Sequence, residues 1–242
     1  MENKSMSIKQ ADWLCIGHRG AKGYEPENTL RSIRKALALG VSWIEVDVYA
    51  VEHELLVIHD ARLERTTNGK GYVEQQNLAY LRSLDAGKGE QIPLLSEVVD
   101  CINQQAGLNI ELKGENTAIP VAKLIQHYLV KGRSADLFLV SSFNHRELAL
   151  FRQLLPNIKI GALLCGLPID NAAFAECMGV YSVNMSIEFI DRLFVEDAHQ
   201  RGLKVFIYTV NHPEDIKRMY QLGVDGVFSD YPDRVLAFIA GE

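Results

Sequence analysis

From residue 13 onward, short runs rich in β-branched and aromatic residues alternate with amphipathic segments, a pattern that folds as a parallel sheet covered by helices. The strand runs fall at residues 13–17, 43–49, 108–112, 137–141, 159–164, 180–184, 204–209 and 226–229. Each is followed by a segment of helical spacing, beginning near Thr29, Leu94, Thr117, Asn144, Asp170, Ile190, Pro213 and Pro232. Eight strand–helix units in 242 residues predict a (β/α)8 TIM barrel, with residues 1–242 forming a single domain. Gly40, Gly107, Gly179 and Gly202 each precede a strand and are expected to be left-handed helix C-caps. Asn28 and Thr29 are N-cap candidates, Asn28 being read as a cap and not as a ligand.

One interval breaks the rhythm. Residues 50–93 are too many for an ordinary βα loop and predict a small inserted subdomain after the second strand. Within it, residues 54–59 read as a further short strand and 68–71 as a turn.

Side chains alternate along a strand, so Glu45 and Asp47 share one face of the second strand while Ile44, Val46 and Val48 share the other. The apolar set can pack beneath helices, which turns the two carboxylates into the barrel. The next long strand repeats the arrangement, with Asn109, Glu111 and Lys113 opposite Ile110 and Leu112. Three converging carboxylates repel one another unless a cation lies among them, and oxygen donors suit a hard ion such as Mg²⁺ or Ca²⁺. Salt bridges, for example of Glu111 with Lys113 or Arg19, are the bland alternative for each acid taken singly. At the C-terminal ends of barrel strands, where such folds keep their active sites, the three together favour an ion.

The first strand opens onto the same rim through His18 and Arg19, and His59 follows the two acids. Two histidines near an ion suit proton transfer, and an arginine can hold two phosphate oxygens at once. The net charge of −6 offers nucleic acid no sequence-independent grip, so an anionic substrate must be held by a few local cations. Cys15, Cys101, Cys165 and Cys177 lack metal-ligand spacing and are expected to be reduced and mostly buried. Residues 1–12 contain no apolar signal core, and no run reaches the roughly 18 apolar residues of a membrane span. A cytoplasmic protein without stable membrane association is expected, and its oligomeric state stays open.

The segments His18-Arg19-Gly20-Ala21, Pro26-Glu27-Asn28-Thr29, Glu45-Val46-Asp47-Val48, His59-Asp60 and Arg65-Thr66-Thr67-Asn68-Gly69 resemble the N-terminal signature of the glycerophosphodiester phosphodiesterases. The likeness continues through Glu111-Leu112-Lys113, Ser141-Ser142-Phe143, Tyr208-Thr209-Val210-Asn211 and the stretch 223–232, so it spans nearly the whole chain. It suggests a small, cytoplasmic bacterial-type member. It implies that Glu45, Asp47 and Glu111 hold one divalent ion, that His18 and His59 act as general base and acid, and that Arg19 and Lys113 contact phosphate. The implied reaction is hydrolysis of a small glycerophosphodiester to sn-glycerol 3-phosphate and an alcohol, by attack of water or of the neighbouring glycerol hydroxyl. The insertion after the second strand is also a family trait. Tyr208 stands where the family commonly has tryptophan, and Phe228 and Ser229 where it often has isoleucine and threonine, which bears on headgroup preference. Phe143 and Tyr208 can serve substrate contact or barrel packing. Two alternatives share these motifs or this fold: a lysophospholipase D, and a barrel that binds a phosphate ligand without turnover.

Overall fold

The computed structural model describes residues 13–241, so the stretch 1–12 considered above lies outside the described residues. One sheet contains β1 (Leu14–Gly17), β2 (Trp43–Val51), β3 (Glu54–Val57), β4 (Gly107–Leu112), β5 (Phe138–Ser142), β6 (Lys159–Leu164), β7 (Ser182–Ser186), β8 (Lys204–Tyr208) and β9 (Gly226–Ser229). The order β1-β9-β8-β7-β6-β5-β4-β2 closes on itself through parallel pairing of β1 with β2. This is an eight-stranded parallel barrel, with β3 hanging antiparallel on the outer end of β2. Helices α1 (Leu30–Leu39), α2 (Leu78–Ser83), α3 (Leu95–Ile102), α4 (Ala118–Val130), α5 (His145–Leu154), α6 (Ala173–Met178), α7 (Arg192–Gln200), α8 (Pro213–Leu222) and α9 (Pro232–Ala240) complete the chain. None of the described helices is long and apolar enough to cross a membrane.

The two faces of each strand are divided as the period-2 pattern requires. Ile44, Val46 and Val48 of β2 and Leu108, Ile110 and Leu112 of β4 join helix residues such as Ile33, Ile125, Phe151 and Phe194 in one buried core. Burying each such side chain contributes roughly 1.5–3 kcal/mol. Inside the barrel, Ile16, Phe206 and Phe228, flanked by Leu14 and Trp43, form a separate apolar plug. The polar inward residues of β2 and β4 are thus left at the open, C-terminal end.

Residues 50–93 carry β3, a 3-10 turn at Val73–Gln75 and α2. They have a core of their own, in which Leu56, Leu63, Val73, Leu81 and Ile92 pack with Tyr49 of β2.

Three local expectations need correction. Gly107 is not a helix cap but the first residue of β4; α3 ends instead at Asn103, whose φ of 43° is left-handed. Gly107 faces the ring of Trp43, where an added Cβ would lie 2.6 Å from ring carbons, so close approach of side chain to backbone explains the glycine. The N-cap of α1 is Thr29, which accepts from the Ser32 N–H, and not Asn28. The cysteines are all free, yet only Cys15 is buried; Cys165 and Cys177 are exposed.

Candidate active site

Pairing of β2 with β4 sets Glu45 beside Asn109 and Asp47 beside Glu111. Asp47 and Glu111 therefore share the rim, with Glu45 one level deeper. One carboxylate oxygen from each of Glu45, Asp47 and Glu111 lies within 4.8 Å of the others, and all three residues are buried. Glu45 Oε1 and Asp47 Oδ1 have no hydrogen-bond partner among the described residues. Glu111 Oε1 has Lys113 Nζ at 2.9 Å, outside hydrogen-bond geometry. The salt-bridge reading is thus realised alongside the cluster, since Arg19 Nε also lies 3.3 Å from Asp47 Oδ2.

Burying carboxylate oxygens without donors is costly. Burial pushes the Glu45 carboxyl well above its ordinary range, and repulsion from Asp47 and Glu111 adds to the rise. Glu111 is raised for the same reasons, with Lys113 opposing. These unpartnered, mutually repelling oxygens fit a hard divalent cation.

The sign of this effect yields a prediction for metal-free protein. Because the folded-state values are raised, the folded protein retains protons that the unfolded chain releases above about pH 4.5. The stability these groups allow is complete below that range and is lost as pH rises. Melting curves of metal-free wild type and Glu45→Gln should therefore diverge between about pH 5 and pH 8, wild type weakening relative to the variant. Divalent ion should close the gap for wild type. Parallel curves in metal-free buffer would show that the acids do not strain one another.

Two further contacts hold the acids in place. The Arg19 backbone N–H donates to Glu45 Oε2 at 2.9 Å, from a residue in the left-handed region with φ 51°. A non-glycine residue in that region is strained, and here the strain aims an amide at a carboxylate. Asn28 donates its amide to Asp47 Oδ2 at 2.9 Å and accepts the Asp47 N–H at 3.3 Å.

Both histidines are held by carboxylates. His18 Nδ1 lies 2.7 Å from Asp230 Oδ1, whose other oxygen accepts from the Asn211 amide at 2.9 Å. His59 Nδ1 meets Asp60 Oδ1 at 2.5 Å. Burial lowers the pKa of each imidazole, while Asp230 opposes the shift at His18 and Asp47 opposes it at His59. Such pairing leaves Nε2 of each ring to exchange a proton.

His18, Arg19, Glu45, His59, Glu111, Lys113, Phe143 and Tyr208 line one cavity of about 260 Å³ at the barrel mouth, together with Asn109 and Ser141. With Asp47 in the carboxylate cluster, every residue singled out above comes together. Phe143 and Tyr208 meet edge to face at 5.8 Å, and the Tyr208 hydroxyl donates to the Leu164 carbonyl. Phe143 is 43% exposed at the cavity mouth, and Lys113 Nζ lies 5.5 Å from its ring centre. A larger hollow of about 810 Å³ beside the β2–β3 hairpin and α4 contains none of these groups.

The sequence reading missed Asp230, Asn211, Asn109 and Asn28 as site residues. Asn109 stood on the right face, two positions before Glu111. Asp230 and Asn211 stood within quoted motifs, but nothing local pointed them at His18.

An eight-stranded barrel with an acidic cluster and two carboxylate-held histidines at its C-terminal mouth defines a barrel enzyme built for polar group transfer. The sequence profile of the Glycerophosphoryl diester phosphodiesterase family matches residues 18–234, and the chain belongs to that family. It is 36% identical over 241 residues to the glycerophosphodiester phosphodiesterase of Caldanaerobacter subterraneus subsp. tengcongensis, covering 93% of this chain and 97% of the relative. The glycerophosphodiester phosphodiesterase of Bacillus altitudinis is 35% identical, with 91% and 96% covered. A lysophospholipase D of Homo sapiens is more distant, at 26% identity over 93% of this chain and 85% of its own length. Among solved structures, an Oleispira antarctica phosphodiesterase in complex with the product sn-glycerol-3-phosphate superposes with a TM-score of 0.86 at 33% identity, covering 94% and 96% of the two chains. The protein is therefore an enzyme of glycerophosphodiester hydrolysis.

Proposed function

We propose that the chain hydrolyses small glycerophosphodiesters to sn-glycerol 3-phosphate and a free alcohol, in a reaction dependent on one Mg²⁺ or Ca²⁺ ion and on two histidines. The observation that carries this reading is the trio Glu45, Asp47 and Glu111, whose ligand oxygens lie within 4.8 Å of one another in the cavity mouth. When bound there, a divalent ion would polarise the phosphoryl group and offset its charge. The protein groups do the rest. Arg19 and Lys113 draw the phosphate oxygens into place and balance charge building on phosphorus. His18, held at Nδ1 by Asp230, takes the nucleophile's proton at Nε2. His59, held at Nδ1 by Asp60, gives a proton from Nε2 to the departing alcohol. Phe143 and Tyr208 wall the substrate on the remaining side.

The complex of the Oleispira antarctica relative with sn-glycerol-3-phosphate supports this product. The test is a panel of glycerophosphodiesters under several metal ions, with glycerol 3-phosphate detected directly. Release of glycerol 3-phosphate from glycerophosphocholine or glycerophosphoethanolamine is expected; ligand binding without turnover in the presence of metal would overturn the reading. A diester lacking the hydroxyl next to the ester separates the two nucleophiles: it turns over if water attacks directly and stalls if the hydroxyl forms a cyclic phosphate. Lysophosphatidylcholine, run beside glycerophosphocholine, is expected to be the poorer substrate. We further infer a single barrel domain met by its substrate in the cytoplasm.

A further inference from the structure

Two motifs have no task in the mechanism above: Pro26-Glu27-Asn28-Thr29, apart from Asn28 and Thr29, and Arg65-Thr66-Thr67-Asn68-Gly69. The fold brings them together at Arg65. Its guanidinium donates from Nη1 to Glu27 Oε2 and from Nη2 to Glu27 Oε1, both at 2.8 Å. The same group donates from Nη2 to Asp60 Oδ1 at 2.9 Å and from Nε to Asp60 Oδ2. Each carboxylate passes the contact onward through a shared oxygen. Asp60 Oδ1 also meets His59 Nδ1, and Glu27 Oε1 also accepts from Arg19 Nη1 at 2.7 Å. One exposed guanidinium thus stands behind His59 on one side and Arg19 on the other.

The rest of the motif holds this guanidinium in position. The Thr67 hydroxyl donates to the Leu63 carbonyl and accepts from the Gly69 N–H, while Asn68 exchanges two hydrogen bonds with Asp85. At Gly69 a Cβ would lie 2.5 Å from a terminal methyl of Leu84, so a larger residue there would require Leu84 to shift. Arg65 belongs to the inserted segment, whereas Glu27 and Arg19 belong to the β1–α1 connection, so the guanidinium ties the insertion to the barrel rim.

We propose that Arg65 is a positioning residue for the reaction: by gripping Asp60 and Glu27 together it fixes the ring of His59 and the direction of Arg19. The role needs the planar fork of arginine, because a lysine ammonium is a single point charge and cannot bridge two carboxylates in parallel pairs. The Arg65 side chain is 46% exposed, so its removal leaves no core cavity. This inference rests on the roles given above to His59 and Arg19.

The experiment compares Arg65→Gln and Arg65→Lys with Arg62→Gln, a nearby exposed arginine whose ion-pair partner is Glu64. All are assayed as full-length, metal-loaded protein on glycerophosphocholine. The same variants are examined without substrate by ¹H–¹⁵N NMR of the imidazoles, with His59 assigned through His59→Gln. Both Arg65 variants are expected to lose kcat by about 10- to 100-fold, with KM changed less and the fold retained. Lysine should not rescue, and Arg62→Gln should behave as wild type. The Nδ1–H signal of His59 is expected to be observable in wild type, held by Asp60, and to broaden or vanish in both Arg65 variants. A wild-type kcat, or an unchanged His59 signal beside a reduced kcat, overturns the proposal. Rescue by lysine does the same. If wild type releases no glycerol 3-phosphate while the His59 signal still depends on Arg65, the substrate reading fails and the positioning of His59 stands.

Discussion

Stripped of divalent ions with EDTA, the protein is expected to lose turnover of glycerophosphocholine by roughly a thousandfold or more, and to recover it when Mg²⁺ or Ca²⁺ is returned. The size of the effect follows from what the neighbouring cations are doing. Lys113 Nζ lies 2.9 Å from Glu111, and Arg19 is shared between Asp47 and Glu27. While they neutralise carboxylates they have little charge to spare for a phosphodiester. With an ion held by the acids, Lys113 and the Nε side of Arg19 would be free to face the phosphate, while Glu27 keeps Arg19 aligned. Glu45→Gln should weaken ion binding in calorimetry, since the deepest ligand carries an oxygen that no protein donor reaches. Full activity in demonstrably metal-free enzyme would remove the ion from the reaction.

Replacing either histidine should be nearly as damaging. His18→Ala and His59→Ala are each expected to lower kcat by about a hundredfold or more, the usual scale of general acid–base catalysis, with circular dichroism and melting close to wild type. Both rings line the cavity at the barrel mouth and each is tied at Nδ1 to one carboxylate, so truncation removes a proton carrier and widens that cavity. Turnover within a few-fold of wild type in one variant would take that histidine out of the mechanism. The rates should also respond unequally to alcohol leaving groups of different acidity. An activated leaving group needs no protonation, so it should rescue loss of the acid, assigned to His59, and not loss of the base, assigned to His18.

The features legible in the sequence were those that repeat at short range. Alternation over three or five residues was enough to turn Glu45, Asp47 and Glu111 inward, because the apolar residues between them had to face helices. Eight strand positions could be marked from the same signal, although β7 lies two residues later than read and α6 begins at Ala173 and not near Asp170. Contacts between distant parts of the chain were invisible. Asp230 is 212 residues from His18, and Arg65 is 38 from Glu27, and neither separation leaves a periodic trace. Adjacent residues competing for one task were also beyond reach: Asn28 and Thr29 both suit an N-cap, and only packing decides that threonine takes it while asparagine turns to Asp47. Gly107 looked like a cap because glycine suits both a left-handed turn and a crowded strand, and the Trp43 ring distinguishes them only in three dimensions.

Closure of the barrel through β1 and β9 has a consequence for how the enzyme is born. The residue that orients His18, the base proposed above, sits just past the last barrel strand, so a nascent chain emerging from the ribosome carries nearly every reactive group yet lacks the partner of that ring. On the mechanism proposed above, hydrolysis is expected only once β9 has left the exit tunnel and paired with β1. A chain truncated before β9 is expected to be inert, with the edges of β1 and β8 left unpaired and open to aggregation.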